Sequence, residues 1–263
     1  MTETRAESKI QNPKSKIEGA SLVLPAYNER NRIEGCLRSV ADWLRARPGG
    51  WDWEVILVDD GSSDGTGEKA RRLAFEIGLP LEILRHEKNR GKGAAIRTGV
   101  LASSGNPVLV SDVDLSTPLT EWVKLAERLP SSPVSIGSRG LGENLVRLKQ
   151  PFHRRLLGKA GNLLVRVLAV PGIHDTQCGF KLFRGDVARN LFGQARIDGF
   201  AYDMEILFLA RRLGFSIAEV PVLWFNSLES KVSIVRDSLR TLWDLLRLRW
   251  IHRRSALRAG PAP

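Results

Sequence analysis

The chain has 263 residues, of which 43% are hydrophobic and 26% are charged, and it carries a net charge of +11. This composition predicts a folded globular protein and excludes an intrinsically disordered chain. Only two cysteines are present, which excludes a disulfide framework and favours a reducing compartment. They also share no metal-ligand spacing. No uninterrupted apolar run approaches the roughly 20 residues that span a bilayer, so we expect no membrane-spanning helix.

The first half of the chain alternates short apolar runs with longer amphipathic stretches, after a polar start at residues 1–18 that we expect to be a mobile tail. The apolar runs predict strands at Ala20–Pro25, Trp53–Val58, Leu81–Arg85, Pro107–Ser111 and Val134–Gly137. The amphipathic stretches predict helices at Arg30–Arg45, Gly67–Ile77, Ala94–Ala102 and Thr120–Leu129. This alternation predicts an α/β fold with a mostly parallel sheet flanked by helices.

The pattern changes after Gly140. Two basic amphipathic stretches, residues 145–170 and 233–254, flank a mixed region that contains a predicted helix near Met204–Leu213. We expect residues 19–232 to form one α/β domain that includes the first stretch. Residues 233–263 are expected to form a basic amphipathic helix and a tail.

The positive charge is concentrated in these two stretches. Residues 145–166 hold six basic residues and no acidic one, and residues 231–258 hold eight basic residues against Asp237 and Asp244. Large apolar residues recur at helical spacing in the second stretch, at Val235, Leu239, Leu242, Trp243, Leu246 and Trp250. Such helices can lie on an anionic membrane surface, where each arginine near lipid phosphates contributes about 1 kcal/mol. The alternative is that their apolar faces pack on the protein core.

Two aspartates follow directly on the fourth predicted strand, in the run Asp112-Val113-Asp114. Alternate residues at a strand end can place two carboxylates where a divalent cation meets a diphosphate. Mg²⁺ and Mn²⁺ prefer such oxygen ligands and bridge phosphate oxygens. An isolated motif of this kind is more often a solvated turn, but here two further polar motifs follow neighbouring strands.

The second strand ends in the run Asp59–Thr66. Turn formation and helix capping explain Ser63–Thr66 but not the adjacent carboxylates of Asp59 and Asp60. We predict that a carboxylate here accepts hydrogen bonds from a base N–H or a ribose hydroxyl. The loop Asn89–Ala95 runs into a helix start, where exposed N–H groups favour anions.

These runs together resemble a known family. Pro25–Glu29, Asp59–Thr66, Asn89–Gly99 and Asp112–Asp114, in this order, resemble the family 2 glycosyltransferases of GT-A fold. The second half is similar to the dolichyl-phosphate glucosyltransferase and mannosyltransferase branch, on the runs Gly137–Arg139, Asp175–Lys181, Tyr202–Glu205 and Glu229–Val232. The run D-T-Q-C-G-F-K at Asp175–Lys181 looks more like the glucosyl enzymes. The resemblance covers about Ser21 to Arg249.

The resemblance implies a role for each matching residue. The nucleotide-sugar pocket would comprise Pro25, Ala26, Tyr27, Glu29, Asp59, Asp60, Asn89, Gly91 and Lys92. Asp112 and Asp114, on either side of Val113, would hold Mg²⁺ or Mn²⁺ and the diphosphate, with the weakly coordinating Ser116 at the third metal-site position. Arg139 would contact the donor sugar or a phosphate.

Five further residues receive acceptor-side or closing roles by the same resemblance. Gln177, Asp203 and Glu205 would face the sugar and acceptor, and Ser230 and Lys231 would close over the phosphates. The catalytic set is thus Asp112, Asp114, Arg139, Asp203 and Lys231. The alternative for Asp203 and Glu205 is a helix N-terminal cap, and for Lys231 the start of a basic helix.

The implied reaction is metal-dependent, inverting transfer of a hexose to a polyprenyl or dolichyl phosphate, with UDP-glucose as the expected donor. The enzyme would be peripheral, at the cytoplasmic face of a membrane with anionic lipids. Alternatives are a GDP-mannose donor, a saccharide or protein acceptor, or a nucleotidyltransferase. A basic nucleic-acid-binding module is disfavoured, since it leaves acidic motifs at successive strand ends unexplained, and we expect no nucleic-acid partner.

Overall fold

The computed structural model describes residues 19–46, 50–139, 141, 146–147, 172–225 and 234–253. Seven strands of these residues form one sheet in the order β3-β2-β1-β4-β7-β5-β8. They are β1 (Gly19–Ala26), β2 (Asp52–Asp59), β3 (Leu81–Arg85), β4 (Val108–Val110), β5 (Val134–Ser138), β7 (Lys181–Phe183) and β8 (Ile217–Pro221). A separate parallel pair joins β6 (Val146–Arg147) to β9 (Trp224–Phe225).

The sheet is mostly parallel, as predicted. Strand β7 alone runs antiparallel to both its neighbours, β4 and β5. The ends of β4 and β5 therefore meet the start of β7 at one edge of the sheet. The register of β1 on β2 pairs Ala26 with Asp59, so the motifs that follow these strands leave the sheet side by side.

Helices cover both faces of the sheet. On one face lie α1 (Ile33–Arg45), α2 (Thr66–Ile77) and α4 (Trp122–Ala126), whose apolar residues share one buried cluster with β1 and β2. On the other face lie α3 (Lys92–Ala102), α5 (Gly185–Gln194), α6 (Tyr202–Arg212) and α7 (Ile234–Ile251). The inner parallel strands β1, β2 and β4 are mostly buried on both sides, which is why they form nearly continuous apolar runs, whereas the outermost strands β3 and β8 are only partly buried.

The predicted strands and helices of the first half are confirmed, with shifts of a few residues at their ends. The predicted helix Thr120–Leu129 is shorter, since a 3₁₀ turn at Leu119–Glu121 precedes α4. The helix near Met204–Leu213 is confirmed as α6. Helix α5 was not predicted, because Gly185, Asn190 and Gly193 dilute its apolar pattern.

Helix α7 has two apolar faces. Leu245 and Leu248 are buried against the core, and so is His252 just beyond the helix. On the opposite side Trp243, Leu246 and Trp250 are 59%, 58% and 70% exposed. Packing on the core therefore holds for the inner face, and the expected contact of the outer face with a membrane stays a prediction. Within the part of the chain that the structure describes, no helix is long and apolar enough to cross a membrane.

Several predicted features lie outside the described residues. They are the tail at residues 1–18, most of the amphipathic stretch at 145–170, and the site residues Ser230 and Lys231. The proposed division at residues 232 and 233 falls there too, so the domain boundaries stay predictions.

Candidate active site

A cleft of about 140 Å³ lies at the sheet edge where β4 and β5 end and β7 begins. Its lining is mostly polar and comprises Ser111, Asp112, Asp114, Ser116, Thr117, Arg139, Gln177, Cys178, Gly179, Phe180 and Trp224. The fold thus brings two segments of the chain, the one after β4 and the one before β7, to opposite walls of one cleft. Four residues predicted as site residues line it: Asp112, Asp114, Arg139 and Gln177.

The acidic motif presents its two carboxylates to this cleft. Val113 between them is buried in the core cluster beside α1, whereas Asp112 and Asp114 both line the cleft. Asp112 Oδ1 lies 2.6 Å from Lys92 Nζ, and Asp114 Oδ1 accepts a hydrogen bond from the Ser116 N–H at 3.0 Å. The turn is completed by Leu115 with a positive φ of 47°.

Cations hold Asp112 in its ionised form. Burial alone would raise its pKa, but the charges of Lys92, Lys181 and Arg139 lower the pKa below the usual range. Conversely, burial opposes the charge of Lys92, while Asp112 and Asp203 raise the pKa of that lysine. The motif therefore carries a full carboxylate charge close to a fixed ammonium group.

The donor set fits a hard divalent cation that shares its coordination with a ligand. Among the described residues there is no cluster of three or more His, Cys, Asp and Glu side chains that could hold a metal alone. Asp112, Asp114 and the Ser116 hydroxyl supply oxygens only, at one wall of the cleft. Mg²⁺ and Mn²⁺ sites in nucleotide enzymes commonly have one or two carboxylates and take the other ligands from phosphates and water.

Arg139 is fixed at the opposite wall. Its Nε and Nη2 donate to the two oxygens of Asp175 at 2.7 and 2.8 Å, and its backbone N–H donates to the same carboxylate at 2.9 Å. The guanidinium carbon lies 5.6 Å from the centre of the Trp224 ring. Burial disfavours its charge, but the hydrogen bonds and charge of Asp175 raise the pKa of Arg139. This arginine therefore stays cationic and points into the cleft.

Asp203 lies behind the cleft and does not line it. It is buried in the first turn of α6 and forms an ion pair with Lys181, which is buried as well. Burial raises the pKa of Asp203, although Lys181 and Lys92 act in the opposite direction. The N-cap of α6 is Ala201 and no side-chain hydrogen bond caps this end, although both Asp203 and Glu205 lie in the first turn. The expectation that Asp203 faces the acceptor does not match this position.

Glu205 needs a correction. It was expected to face the sugar and acceptor together with Asp203, but it is fully buried and does not line the cleft. Its carboxylate accepts the backbone N–H groups of Arg196 and Ile197, and it binds His252. Glu205 therefore forms hydrogen bonds inside the protein and does not contact a ligand.

Asp60 also differs from expectation. It is 2% exposed, and it accepts the N–H groups of Arg90 and Gly91 at 3.0 and 2.8 Å and a bond with His86 at 2.6 Å. Its carboxylate therefore supports the loop Asn89–Ala95, here called the glycine loop, and is not an open acceptor for the N–H of a nucleotide base. Asp59 is likewise buried and accepts the Ser62 N–H at 2.9 Å.

The remaining predicted nucleotide contacts lie at the adjoining strand ends and do not line the cleft. Tyr27 is exposed, Asn89 is exposed on the glycine loop, and Pro25 and Ala26 end β1. Hydrogen bonds join the two motifs: the Asn28 N–H donates to Ser62 Oγ and the Glu29 N–H donates to Thr66 Oγ1. Through Lys92, whose ammonium reaches Asp112, the glycine loop connects this surface to the cleft.

A second cavity of about 360 Å³ adjoins Asp114 on the side of α1. It is lined by Asn31, Arg32, Gly35, Cys36, Ser39, Val113, Asp114 and Leu115. Burial and the charges of Asp114 and Glu29 raise the pKa of the Cys36 thiol to about 12, so Cys36 is a packing residue rather than a nucleophile.

The sequence did not assign roles to Asp175, Gly179, Lys181 and Trp224. Gly179 packs so tightly on Asp112 that a Cβ there would collide with its carboxylate. The sequence did contain a signal for Lys181, because it lies between Phe180 and the apolar pair Leu182 and Phe183. A lysine in such an apolar run requires a buried partner that pairs with its charge. Trp224 had no such signal.

Comparisons with known proteins give a consistent result. The family model described as Glycosyl transferase family 2 matches residues 21–192. A dolichyl-phosphate beta-glucosyltransferase of Trichomonas vaginalis is 35% identical over 81% of this chain and 66% of its own length. The Homo sapiens protein of that name is 34% identical over 88% of this chain and 75% of its own length. The chain thus spans about two thirds to three quarters of these relatives.

Solved structures share the fold. Glucosyl-3-phosphoglycerate synthase from Mycobacterium tuberculosis, in complex with Mn²⁺, UDP-glucose and glycerol 3-phosphate, superimposes with a TM-score of 0.65 at 22% identity, over 88% of this chain and 80% of that one. Mannosyl-3-phosphoglycerate synthase from Rubrobacter xylanophilus gives 0.64 at 20% identity, over 94% and 79%. At these identities the likeness concerns the fold alone.

Proposed function

Because the chain belongs to glycosyltransferase family 2, we propose that it transfers glucose from UDP-glucose to dolichyl phosphate or a related polyprenyl phosphate. The observation that carries the proposal is the cleft, which is lined both by the two carboxylates of Asp112 and Asp114 and by Arg139, an arginine that Asp175 holds in place. Relatives named for this reaction match more than four fifths of the chain. A GDP-mannose donor is the alternative to exclude.

Asp112 and Asp114 would hold Mg²⁺ or Mn²⁺, which supplies Lewis-acid stabilisation of the departing diphosphate. The chain adds positive charge of its own. Lys92 lies 2.6 Å from Asp112, and Arg139 is held at the opposite wall by Asp175. Fixed cations at the place where negative charge develops stabilise the transition state without having to reorganise. Lys231, outside the described residues, is proposed to close over the phosphates with Ser230.

The acceptor phosphate is already an anion and requires no general base. Asp203 is buried behind the cleft in an ion pair with Lys181, which suits it to holding the local charges in place rather than to contacting the acceptor. Direct attack of the phosphate oxygen on the anomeric carbon gives inversion, so an α-linked donor would give a β-linked product.

The outer face of α7, defined as Trp243, Leu246 and Trp250, supports peripheral attachment to a membrane. Three exposed large apolar side chains lie on one side of the helix, and the exposed Arg247, Arg249 and Arg253 flank them. Tryptophan and arginine favour the interface of anionic lipids. We propose the cytoplasmic face; the two cysteines are free and buried, as expected in a reducing compartment.

The test is a transfer assay with purified protein on anionic liposomes that contain a polyprenyl phosphate. Labelled UDP-glucose, UDP-N-acetylglucosamine and GDP-mannose are supplied with Mg²⁺ or Mn²⁺, and the label that enters organic solvent is measured. We expect metal-dependent transfer from UDP-glucose, reduced about 100-fold or more in Asp114→Ala. Asp42→Ala, at an exposed carboxylate of α1, is the matched control and should retain the rate.

Transfer from GDP-mannose alone would replace the proposed donor. Nucleotide-sugar binding together with failure to label any polyprenyl phosphate would overturn the proposed acceptor.

A further inference from the structure

Glu205 and His252 form a buried pair away from the cleft. Both side chains are 0% exposed, and His252 Nε2 lies 2.6 Å from Glu205 Oε1. Glu205 belongs to α6, whereas His252 follows the last residue of α7. Since a carboxylate only accepts, the imidazole N–H is the donor of this bond. The pair therefore joins the C-terminal helix to the helix whose first turn carries Asp203.

The Glu205 carboxylate also holds the segment 195–199, which leads into α6. Its Oε1 accepts the Arg196 N–H at 2.9 Å, and its Oε2 accepts the Ile197 N–H at 2.8 Å. Hydrogen bonds from backbone N–H groups to an ionised carboxylate are stronger than neutral ones. The position of this segment is thus set by a side chain that His252 in turn orients.

The segment 195–199 supports the start of α3. The Asp198 carbonyl accepts the Ala94 N–H at 3.2 Å, and the Asp198 carboxylate forms an ion pair with Arg97. A Cβ at Gly91 would collide with the Asp198 carbonyl, and a Cβ at Gly93 would collide with the Ile197 carbonyl. Glycine is required at both places because the backbone of the segment and that of the glycine loop are in direct contact.

The first residue of α3 is Lys92, whose ammonium lies 2.6 Å from Asp112 in the cleft. A continuous set of contacts therefore runs from His252 through Glu205 and the segment 195–199 to the loop that carries Lys92. Neither member of the pair lines the cleft. Both can act only by positioning other groups.

Docking of α7 does not by itself require such a pair. Leu245 and Leu248 already bury the inner face of the helix, and replacing both partners of a buried hydrogen bond by apolar groups of the same shape can be nearly neutral for stability. An apolar pair, however, would leave the N–H groups of Arg196 and Ile197 without their acceptor. What the Glu205 carboxylate adds is the fixed position of the segment.

We propose that Glu205 and His252 are positioning residues for donor binding, which couple the C-terminal helix to the loop that binds the diphosphate of the nucleotide. The inference rests on the proposed function in so far as this loop contacts the donor. Loss of the His252 bond would loosen the segment and weaken nucleotide binding, with a smaller effect on the rate of the bound complex.

The test is UDP binding with Mn²⁺ by calorimetry on the full chain, followed by donor KM and kcat in the transfer assay. His252→Leu should weaken UDP binding on the order of fivefold and raise the donor KM more than it lowers kcat. His252→Gln places an amide N–H the same number of bonds from the backbone as Nε2, and it should stay within about twofold of the original chain.

Leu248→Ala is the matched control for loss of helix docking, since Leu248 lies on the same buried face one turn earlier. It should lower the thermal midpoint and leave UDP binding within about twofold. The inference is overturned if His252→Leu binds UDP like the original chain, or if Leu248→Ala, at an equal loss of thermal midpoint, weakens UDP binding as much. Failure of the unaltered chain to bind UDP would instead sink the proposed function.

Discussion

Gly179 shows how one atom can matter at the cleft. Its α-carbon faces the Asp112 carboxylate so closely that no Cβ fits between them, and the obstacle is a side chain already held by Lys92. Only glycine leaves Asp112 where it lies. A misplacement of a reacting or metal-binding group by about 1 Å can cost 100-fold in rate.

We therefore expect Gly179→Ala to reduce glycosyl transfer by about tenfold to 100-fold while the protein stays folded. Gly193→Ala is the matched control, because Gly193 lies in α5 and only Leu101, at 4.0 Å, approaches a Cβ there. That control should keep the rate and gain about 0.5–1 kcal/mol of stability. The measurement is the transfer rate beside thermal unfolding. Equal rates for both variants would contradict the assigned packing.

The ion pair between Arg139 and Asp175 predicts that the stability of the folded protein depends on pH. Burial alone would raise the pKa of Asp175, but the hydrogen bonds and charge of Arg139 lower it below the usual range. In the unfolded chain an aspartate titrates near pH 3.9, so the folded state binds its proton less readily. The stabilisation is complete above about pH 4 and is lost as the pH falls through the lowered pKa.

Asp175→Asn should accordingly be less stable than the original chain at neutral pH, and the difference should shrink on acidification below about pH 4. Chemical unfolding at a series of pH values measures this. Asp42→Asn, at an exposed carboxylate, is the control and should leave the pH profile unchanged. A stability difference that is constant from neutral to acidic pH would show that Asp175 does not titrate as described.

At the scale of elements, α7 has one buried face and one exposed apolar face. The inner face packs on the core, and the outer face presents Trp243, Leu246 and Trp250. Burial of each such side chain in a lipid interface contributes about 1.5–3 kcal/mol when it is complete. The outer face is therefore large enough to hold the protein at a membrane with help from the flanking arginines.

Replacing all three outer-face residues by alanine should lower partitioning onto anionic liposomes about tenfold or more, with UDP binding retained. Phe75→Ala serves as the control, because Phe75 is the most exposed aromatic described, at 90%, and lies on α2. Co-sedimentation at moderate salt is the measurement. Unchanged partitioning of the triple variant would move the attachment to the stretch at residues 145–170.

The elements also show what the sequence could and could not predict. Strands β1, β2, β4 and β5 were found because buried strands form nearly continuous apolar runs, and β3 was found from its apolar residues although it is only partly buried. The acidic motif was found because it follows such a run. The role of Asp60 was not predictable. Two of its partners are the backbone N–H groups of Arg90 and Gly91, 30 and 31 positions away, and a backbone group carries no residue-type signal. The third partner, the His86 side chain, is 26 positions away and meets Asp60 only in the folded chain.

The same reason explains the errors on α6. The run Tyr202–Glu205 was recognised, but the sequence did not show which carboxylate faced inward. Lys181 is 22 positions from Asp203 and His252 is 47 positions from Glu205, so both partners come from elsewhere in the fold. Pairing across such separations depends on tertiary packing, which a periodic pattern does not encode.

At the scale of the whole molecule, the helix that faces the proposed membrane is also a wall of the core. Packed by Leu245, Leu248 and the Glu205–His252 pair, α7 cannot swing away from the domain without exposing those side chains. If the protein is attached as proposed, α7 and the rest of the domain lie on the bilayer surface as one rigid body. Only the phosphate end of the acceptor then enters the cleft. The distant isoprene units stay in the hydrocarbon interior of the membrane before, during and after transfer, so they add nothing to the activation free energy of the transfer. Carriers of different chain length should then serve equally well.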